Sequence, residues 1–152
     1  MKLSTWAELA GLAAVVVSLV FVGFEIRHNT ATTSSQALLD LNDAVNTVML
    51  LQSADADLAE IVIRGHKNPQ SLSEIEMFRY ERLIWSVLNS MEAAFNFYES
   101  GLLSPEQYEG WLAASCVELS IPGSVYIWRK NKLAFSPSFN DFLESSCEEL
   151  AE

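Results

Sequence analysis

The chain has 152 residues, half of them apolar, and it carries a formal charge of −11 from nine basic and twenty acidic residues. This length is typical of a single domain and excludes a large multidomain enzyme. The acidic balance excludes a nucleic-acid binder that relies on a basic surface. Residues 29–152 hold seven Lys and Arg against eighteen Asp and Glu, so the acidic charge belongs to that part of the chain.

The N-terminal segment is apolar enough to predict a transmembrane helix. Ser18 is the only polar residue in the range 9–24, and Trp6, Ala7 and Ile26 extend the apolar stretch to the roughly 20 residues that cross a bilayer. A buried core helix is one alternative, although the hydrophobicity on all sides argues against it. A cleaved signal peptide is another, although residues 25–29 lack a small-residue cleavage site. We therefore predict an anchor over residues 1–28 and an acidic domain over residues 29–152.

Small residues recur at helical spacing along this anchor. They lie three or four positions apart and are Ala7, Ala10, Gly11, Ala14 and Ser18. Small residues at positions i and i+4 let two helix backbones approach closely in lipid. This face is predicted to contact another helix in the membrane, either from a second copy or from a partner.

The charges beside the anchor favour one orientation only slightly. Lys2 and the chain amine precede it, whereas Arg27 follows it and no further Lys or Arg occurs before Arg64. Since Lys and Arg concentrate on the cytoplasmic side, this count leans towards an N-terminus inside the cell.

Start and stop signals predict a first group of short helices after the anchor. Residues 30–35 are small and polar and predict a cap or a short stalk, after which the next helix is either separate or continuous with the anchor. An apolar stripe follows, formed by Leu38, Leu41, Val45, Val48 and Met49. Asp55 predicts a new N-cap, and Gly65 predicts the end of that helix.

The remaining helices have clearer boundaries. Ser73 with Glu76 forms a predicted capping box for a long helix that ends at Gly101. Ser104 with Pro105 predicts the next start, and residues 122–123 predict a turn. A short aromatic helix and a last helix follow, the latter with the stripe Phe139, Phe142, Leu143, Cys147 and Leu150. Because no segment alternates with a period of two, we predict an all-α fold, an N-terminal transmembrane helix followed by an antiparallel bundle of about five helices.

The sequence offers little for catalysis or metal binding. His28 and His66 lack a partner at the spacing that a metal site needs, and no nucleophile–base set or phosphate-binding loop is present. We therefore expect no enzymatic activity, no metal and no cofactor. Cys116 and Cys147 are most simply interpreted as small core residues, and a disulfide between them requires an oxidising compartment.

One carboxylate stands in an otherwise apolar or neutral stretch. Glu92 shares a helix face with Asn89 and Asn96. If that face is buried, Glu92 needs a partner, for which Arg129 or Lys130 is the candidate. Two interpretations follow: a polar ligand pocket, or an ion pair between helices that fixes their register.

The only basic cluster of the domain surrounds a tryptophan. It consists of Arg129, Lys130 and Lys132, beside Trp128. Such a cluster can contact anionic lipid headgroups, or it can pair with acidic neighbours, which are plentiful in this chain.

The chain resembles a group of small bacterial single-pass membrane proteins that have an IRxNT motif after the N-terminal helix and no assigned activity. The matching segments are residues 22–30 (VGFEIRHNT), 72–74, 91–98, 101–103 and 128–139, the last with the W…FSPxF pattern. The group usually has Gln where this chain has Glu25, and arginines after the Asn-Thr pair that this chain lacks. The resemblance implies a position in the bacterial inner membrane with the domain in the cytoplasm; the alternative is the periplasm.

These features predict a membrane-tethered, non-enzymatic interaction module. It would contact membrane lipid, and it would associate through its transmembrane helix with itself or with an integral-membrane complex. The alternative is a membrane-anchored sensor that binds a small ligand near Asn89, Glu92 and Trp128. No nucleic-acid partner is expected.

Overall fold

The computed structural model describes residues 3–147, and this range is all-helical. It contains six α-helices: α1 (Leu3–Ala54), α2 (Ala56–Lys67), α3 (Glu74–Glu99), α4 (Pro105–Leu119), α5 (Pro122–Lys130) and α6 (Pro137–Ser146). Two 3₁₀ turns, Pro69–Ser71 and Lys132–Ala134, lie between them. The predicted all-α class is confirmed, and Leu150 lies outside the described residues.

The chain divides into two compact units, Met1–Gln36 and Ala37–Glu152. The first unit consists of helix α1 up to Gln36. Within the described range, α1 is the one helix long and apolar enough to cross a membrane, and none of its most apolar window is buried.

Residues 30–35 continue helix α1 and do not interrupt it. Their hydroxyl groups donate to the carbonyl four residues earlier: Thr30 to Ile26 at 2.9 Å and Thr33 to Asn29 at 2.9 Å. Because each hydroxyl bonds to its own helix, this polar run stays helical. The predicted cap or stalk is therefore wrong. Of the two alternatives for the following helix, separate or continuous with the anchor, the structure has the continuous one.

Helix α3 is the central element of the second unit and packs against α2, α4 and α5. Its apolar face supplies the middle of the core, with Tyr80, Ile84, Leu88 and Ala94 fully buried. The other helices cover this face with buried side chains that include Leu41, Ile61, Val62, Leu119, Ile127, Trp128, Phe139 and Leu143.

Local capping explains where these helices begin. The Ser73 N–H donates to Glu76 Oε2 at 2.8 Å, and the Glu76 N–H returns a bond to Ser73 Oγ. Ser104 and Gln107 form the same reciprocal pair at the start of α4. Asp55 caps α2 by accepting the Leu58 N–H at 3.0 Å. The predicted starts are thus confirmed, because each cap satisfies backbone donors that the first helical turn leaves free.

Two glycines allow α2 and α5 to approach closely beside Tyr80. A Cβ atom at Gly123 would lie 2.2 Å from the Gly65 carbonyl oxygen and 2.3 Å from the Tyr80 hydroxyl. A Cβ at Gly65 would lie 2.7 Å from the Tyr80 ring. Both predictions for these glycines are wrong: α2 continues past Gly65 to Lys67, and Gly123 lies inside the first turn of α5.

A disulfide joins Cys116 in α4 to Cys147 after α6, with the Cα atoms 5.2 Å apart. The interpretation of these cysteines as unpaired core residues is therefore wrong. Closing a loop with a sequence separation of 31 stabilises a fold by about 4 kcal/mol in the chain-entropy model.

The close contact of α2 and α5 predicts a strong effect of Gly123→Ala. The added methyl group meets backbone, which cannot move aside, and overpacking of this kind costs about 1–3 kcal/mol. We expect a lower melting temperature of the full chain in mild detergent, followed by circular dichroism. The matched control is Gly110→Ala in α4, where a Cβ meets nothing within 4 Å; there alanine should stabilise by about 0.5–1 kcal/mol. Shifts of equal sign in the two variants would contradict the contact.

The ion pair between α2 and α3 predicts a dependence of stability on pH. The hydrogen bond from Arg64, with help from the Ser73 backbone, lowers the pKa of Glu76 from 4.5 to about 2. A depressed carboxyl pKa adds stability that is present above pH 4.5 and is lost as pH falls towards 2. We expect Glu76→Gln to reduce the drop in melting temperature across that interval. Equal slopes in the wild-type and Glu76→Gln proteins would refute this role of Glu76.

Candidate functional site

The described residues contain no group of three or more His, Cys, Asp and Glu that is placed to hold a metal ion. His28 is exposed on helix α1, whereas His66 is half-buried in the last turn of α2. The side chains with functional potential therefore lie elsewhere, in the polar groups that link helices and on the exposed faces.

The predicted polar site at Asn89, Glu92 and Asn96 does not form a pocket. Asn89 and Asn96 are exposed, and Glu92 accepts the backbone N–H of Ser136 at 2.7 Å. The expected ion pair of Glu92 with Arg129 or Lys130 is also absent from the described contacts. Ser136 is the N-cap of α6, so this carboxylate places a negative charge at the start of that helix, which is favourable. Glu92 thus links α3 to α6.

A second polar group lies where α2, α3 and α5 meet. Ser124 is fully buried and its hydroxyl donates to Glu118 Oε1 at 2.6 Å. Burial raises the pKa of the Tyr80 hydroxyl well above its usual range. Burial also lowers the pKa of His66, whose ring meets the Tyr80 ring edge-on at 5.7 Å. Because Ser124 is inaccessible and bonds directly to a carboxylate, this group serves packing and is not a nucleophile–base set.

Sequence reasoning missed this group because its members are far apart in the chain and have no characteristic spacing. Only the pair of glycines, Gly65 and Gly123, marks the place. Glycine in a helix interior destabilises the helix, so a glycine at such a position can indicate that another helix packs closely there.

Two of the three cations in the basic cluster near Trp128 form ion pairs. Trp128 is 1% exposed and its indole N–H donates to Asn140 Oδ1 at 3.1 Å, so it cannot contact lipid headgroups as predicted. Lys130 pairs with Glu81 at 2.8 Å, and Lys132 pairs with Glu144 while lying over the Trp128 ring. Arg129 is exposed and takes part in none of the ion pairs among the described residues.

The predicted intramembrane face lies on the uncovered first part of α1. Ala10, Gly11, Ala14 and Ser18 are exposed, and a Cβ at Gly11 would meet nothing within 4 Å. The side chain of Ala7 lies outside the described residues. This face is open to a second helix.

Two shallow grooves open on the second unit. The first has a volume of about 320 Å³ and lies between α1 and α4, lined by Asn42, Val45, Asn46, Met49, Gln107, Gly110, Trp111 and Ala114. The second, of about 430 Å³, lies beside the stacked rings of Tyr98 and Tyr108, whose centroids are 4.3 Å apart. Neither groove includes Asn89, Glu92 or Trp128.

Comparison with known proteins adds no relative. No protein-family model, no curated protein and no solved structure matches this chain.

Proposed function

We propose that this chain is a single-pass protein of the bacterial inner membrane, and that it acts as a non-enzymatic module which associates through helix α1. The observation that carries the proposal is the uncovered apolar surface of the first unit. Its large side chains, among them Val17, Leu19, Phe21 and Phe24, are more than half exposed. Leaving each of them in water costs about 1.5–3 kcal/mol relative to burial, and a bilayer removes that cost. The resemblance to the IRxNT group supports the same proposal.

Two features favour a retained span over the alternatives. A core helix would be covered by its own protein, and the most apolar window of α1 is not. A signal peptide would be removed, but α1 runs unbroken to Ala54 and supplies Leu41 and Val48 to the core of the second unit. Cleavage after the apolar stretch would cut within a continuous helix.

The small-residue face supports association inside the membrane. Gly11, Ala14 and Ser18 leave the backbone of α1 accessible, and in lipid such close approach is what drives helix pairing. The second unit carries an excess of acidic residues, so its surface has a net negative charge to offer a partner.

A small-ligand sensor is the less supported function. The residues predicted to line its pocket are exposed, buried against the core or bonded to Ser136.

The association proposal predicts that bulk on the small-residue face weakens the complex. We expect the double variant Gly11→Leu, Ala14→Leu to lower the mass of the full-chain particle measured by light scattering after extraction in mild detergent. The matched control is Val16→Leu with Val20→Leu, which adds bulk to the other side of the same helix. A wild-type chain that is extracted as a lone protomer, or a mass unchanged by the double variant, would overturn the association.

We further propose that the second unit faces the oxidising side of the membrane, the periplasmic alternative and not the cytoplasmic one. The Cys116–Cys147 disulfide supports this side, since cytosolic thiols are kept reduced. The slight excess of positive charge before the span, from Lys2 and the chain amine, favours the same orientation.

Thiol trapping in cells tests this orientation. After acid quenching and denaturation, the full chain should react with a thiol-specific polyethylene glycol only once a reductant has been added. Cys116→Ser is the control, because its remaining Cys147 should then gain one label without reductant. Two labels on the unreduced wild-type chain would place the second unit in the cytoplasm.

A further inference from the structure

The 3₁₀ turn Lys132–Ala134 presents a leucine that no part of the described structure covers. Leu133 is 103% exposed, more than any other large apolar residue among those described in the second unit. The turn is nevertheless fixed from behind: the Asn140 side-chain amide donates to the carbonyls of Lys132 at 3.0 Å and Phe135 at 3.3 Å. Because these hydrogen bonds hold the turn, Leu133 is exposed on an ordered segment and not on a loose loop.

Helix α3 carries a second apolar and cationic set on its surface. Phe78, Arg82 and Trp85 share one helix face at steps of four and three residues. The Arg82 guanidinium lies over both rings, 5.5 Å from the Phe78 centroid and 5.0 Å from the Trp85 centroid. Phe78 is 62% exposed and Trp85 is half-buried, so both rings remain near the surface.

Direct contacts join these two sets. The Trp85 ring packs against Phe135, which directly follows the turn, with the centroids 6.3 Å apart. One turn earlier on α3, Glu81 binds both Lys130 at 2.8 Å and the Asn131 amide at 3.1 Å. Because these contacts link helix α3 to the turn, we name the exposed and half-buried residues on either side of them the α3–turn face: Phe78, Arg82, Trp85, Lys130 and Leu133.

The charge of this face is opposite to that of the domain. Arg82 and Lys130 are two of the seven basic residues in the range 29–152, in a domain with eighteen acidic residues. Arg82 takes part in none of the ion pairs among the described residues, whereas Lys130 pairs with Glu81, whose side chain is only 12% exposed. The face therefore keeps one unpaired cation, Arg82, in a domain that is acidic as a whole.

We infer that the α3–turn face docks on the headgroups of an anionic phospholipid bilayer. This inference rests on the proposed membrane anchoring, which keeps the second unit within reach of a bilayer. Leu133 and Phe78 enter the boundary between headgroups and acyl chains, while the unpaired Arg82 contacts the phosphates. Isolated aliphatic and aromatic side chains beside an unpaired arginine match this interface better than they match a protein groove, which would need a broader apolar area.

Hydrogen exchange on the full chain in lipid nanodiscs tests the inference. We expect amides 131–135 to exchange about fivefold more slowly in discs that contain phosphatidylglycerol than in discs of phosphatidylcholine, the factor that one cation attracted to an anionic surface provides. Leu133→Asp and Arg82→Glu should each remove the difference, and so should high salt. The matched control is Val117→Asp on α4, which changes an apolar residue of 67% exposure away from this face.

Each other outcome has a distinct meaning. If exchange is equal in both lipids, or if Leu133→Asp and Arg82→Glu leave the difference intact, the α3–turn face does not bind the bilayer. Protection of these amides in detergent particles without lipid would assign the face to a protein partner and overturn the inference. A chain that does not incorporate into nanodiscs at all would refute the proposed anchoring itself, and Leu133→Asp, at an exposed position, leaves folding unchanged for the comparison.

Discussion

The contact of Gly65 and Gly123 against Tyr80 is the constraint on which the second unit depends. Three helices meet there, and no side chain larger than hydrogen fits at either glycine. This close approach brings Ser124 within 2.6 Å of Glu118 and places α5 so that Lys130 reaches Glu81 on α3. If α5 moved away from this contact, it would also move relative to α3 and α4, and both bonds would be lost.

Helix α3 also organises the unit through its polar residues. Glu76, Glu81 and Glu92 face different neighbours: Arg64 on α2, Lys130 at the end of α5, and the Ser136 N–H at the start of α6. Exposed ion pairs add little stability, so the apolar face of α3 supplies most of the energy. The carboxylates instead favour one register of each neighbouring helix. If α6 shifted along α3, Glu92 and the Ser136 N–H would lose their hydrogen bond.

The sequence was sufficient for features that depend on local chemistry. The capping boxes at Ser73 and Ser104 and the all-α class follow from residues a few positions apart, and the structure has them. Contacts between distant residues were not predictable in this way. A cationic side chain was expected to pair with Glu92, but its carboxylate accepts a backbone N–H instead. Trp128 is buried, and its indole N–H donates to Asn140, which lies twelve residues later in the chain. The predicted helix end at Gly65 was wrong for a related reason, because glycine is favoured both at helix ends and where two backbones pack closely.

The disulfide and the α3–turn face are connected through helix α6. This helix has ten residues, which is too short to be stable without its tertiary contacts. It supplies Asn140, whose amide holds the turn that displays Leu133, and it is followed directly by Cys147, which the disulfide joins to α4. An oxidising environment therefore secures α6, and through Asn140 it also secures the conformation of the turn. The compartment that we propose from the cysteines is thus the one in which the lipid-binding surface would be best ordered.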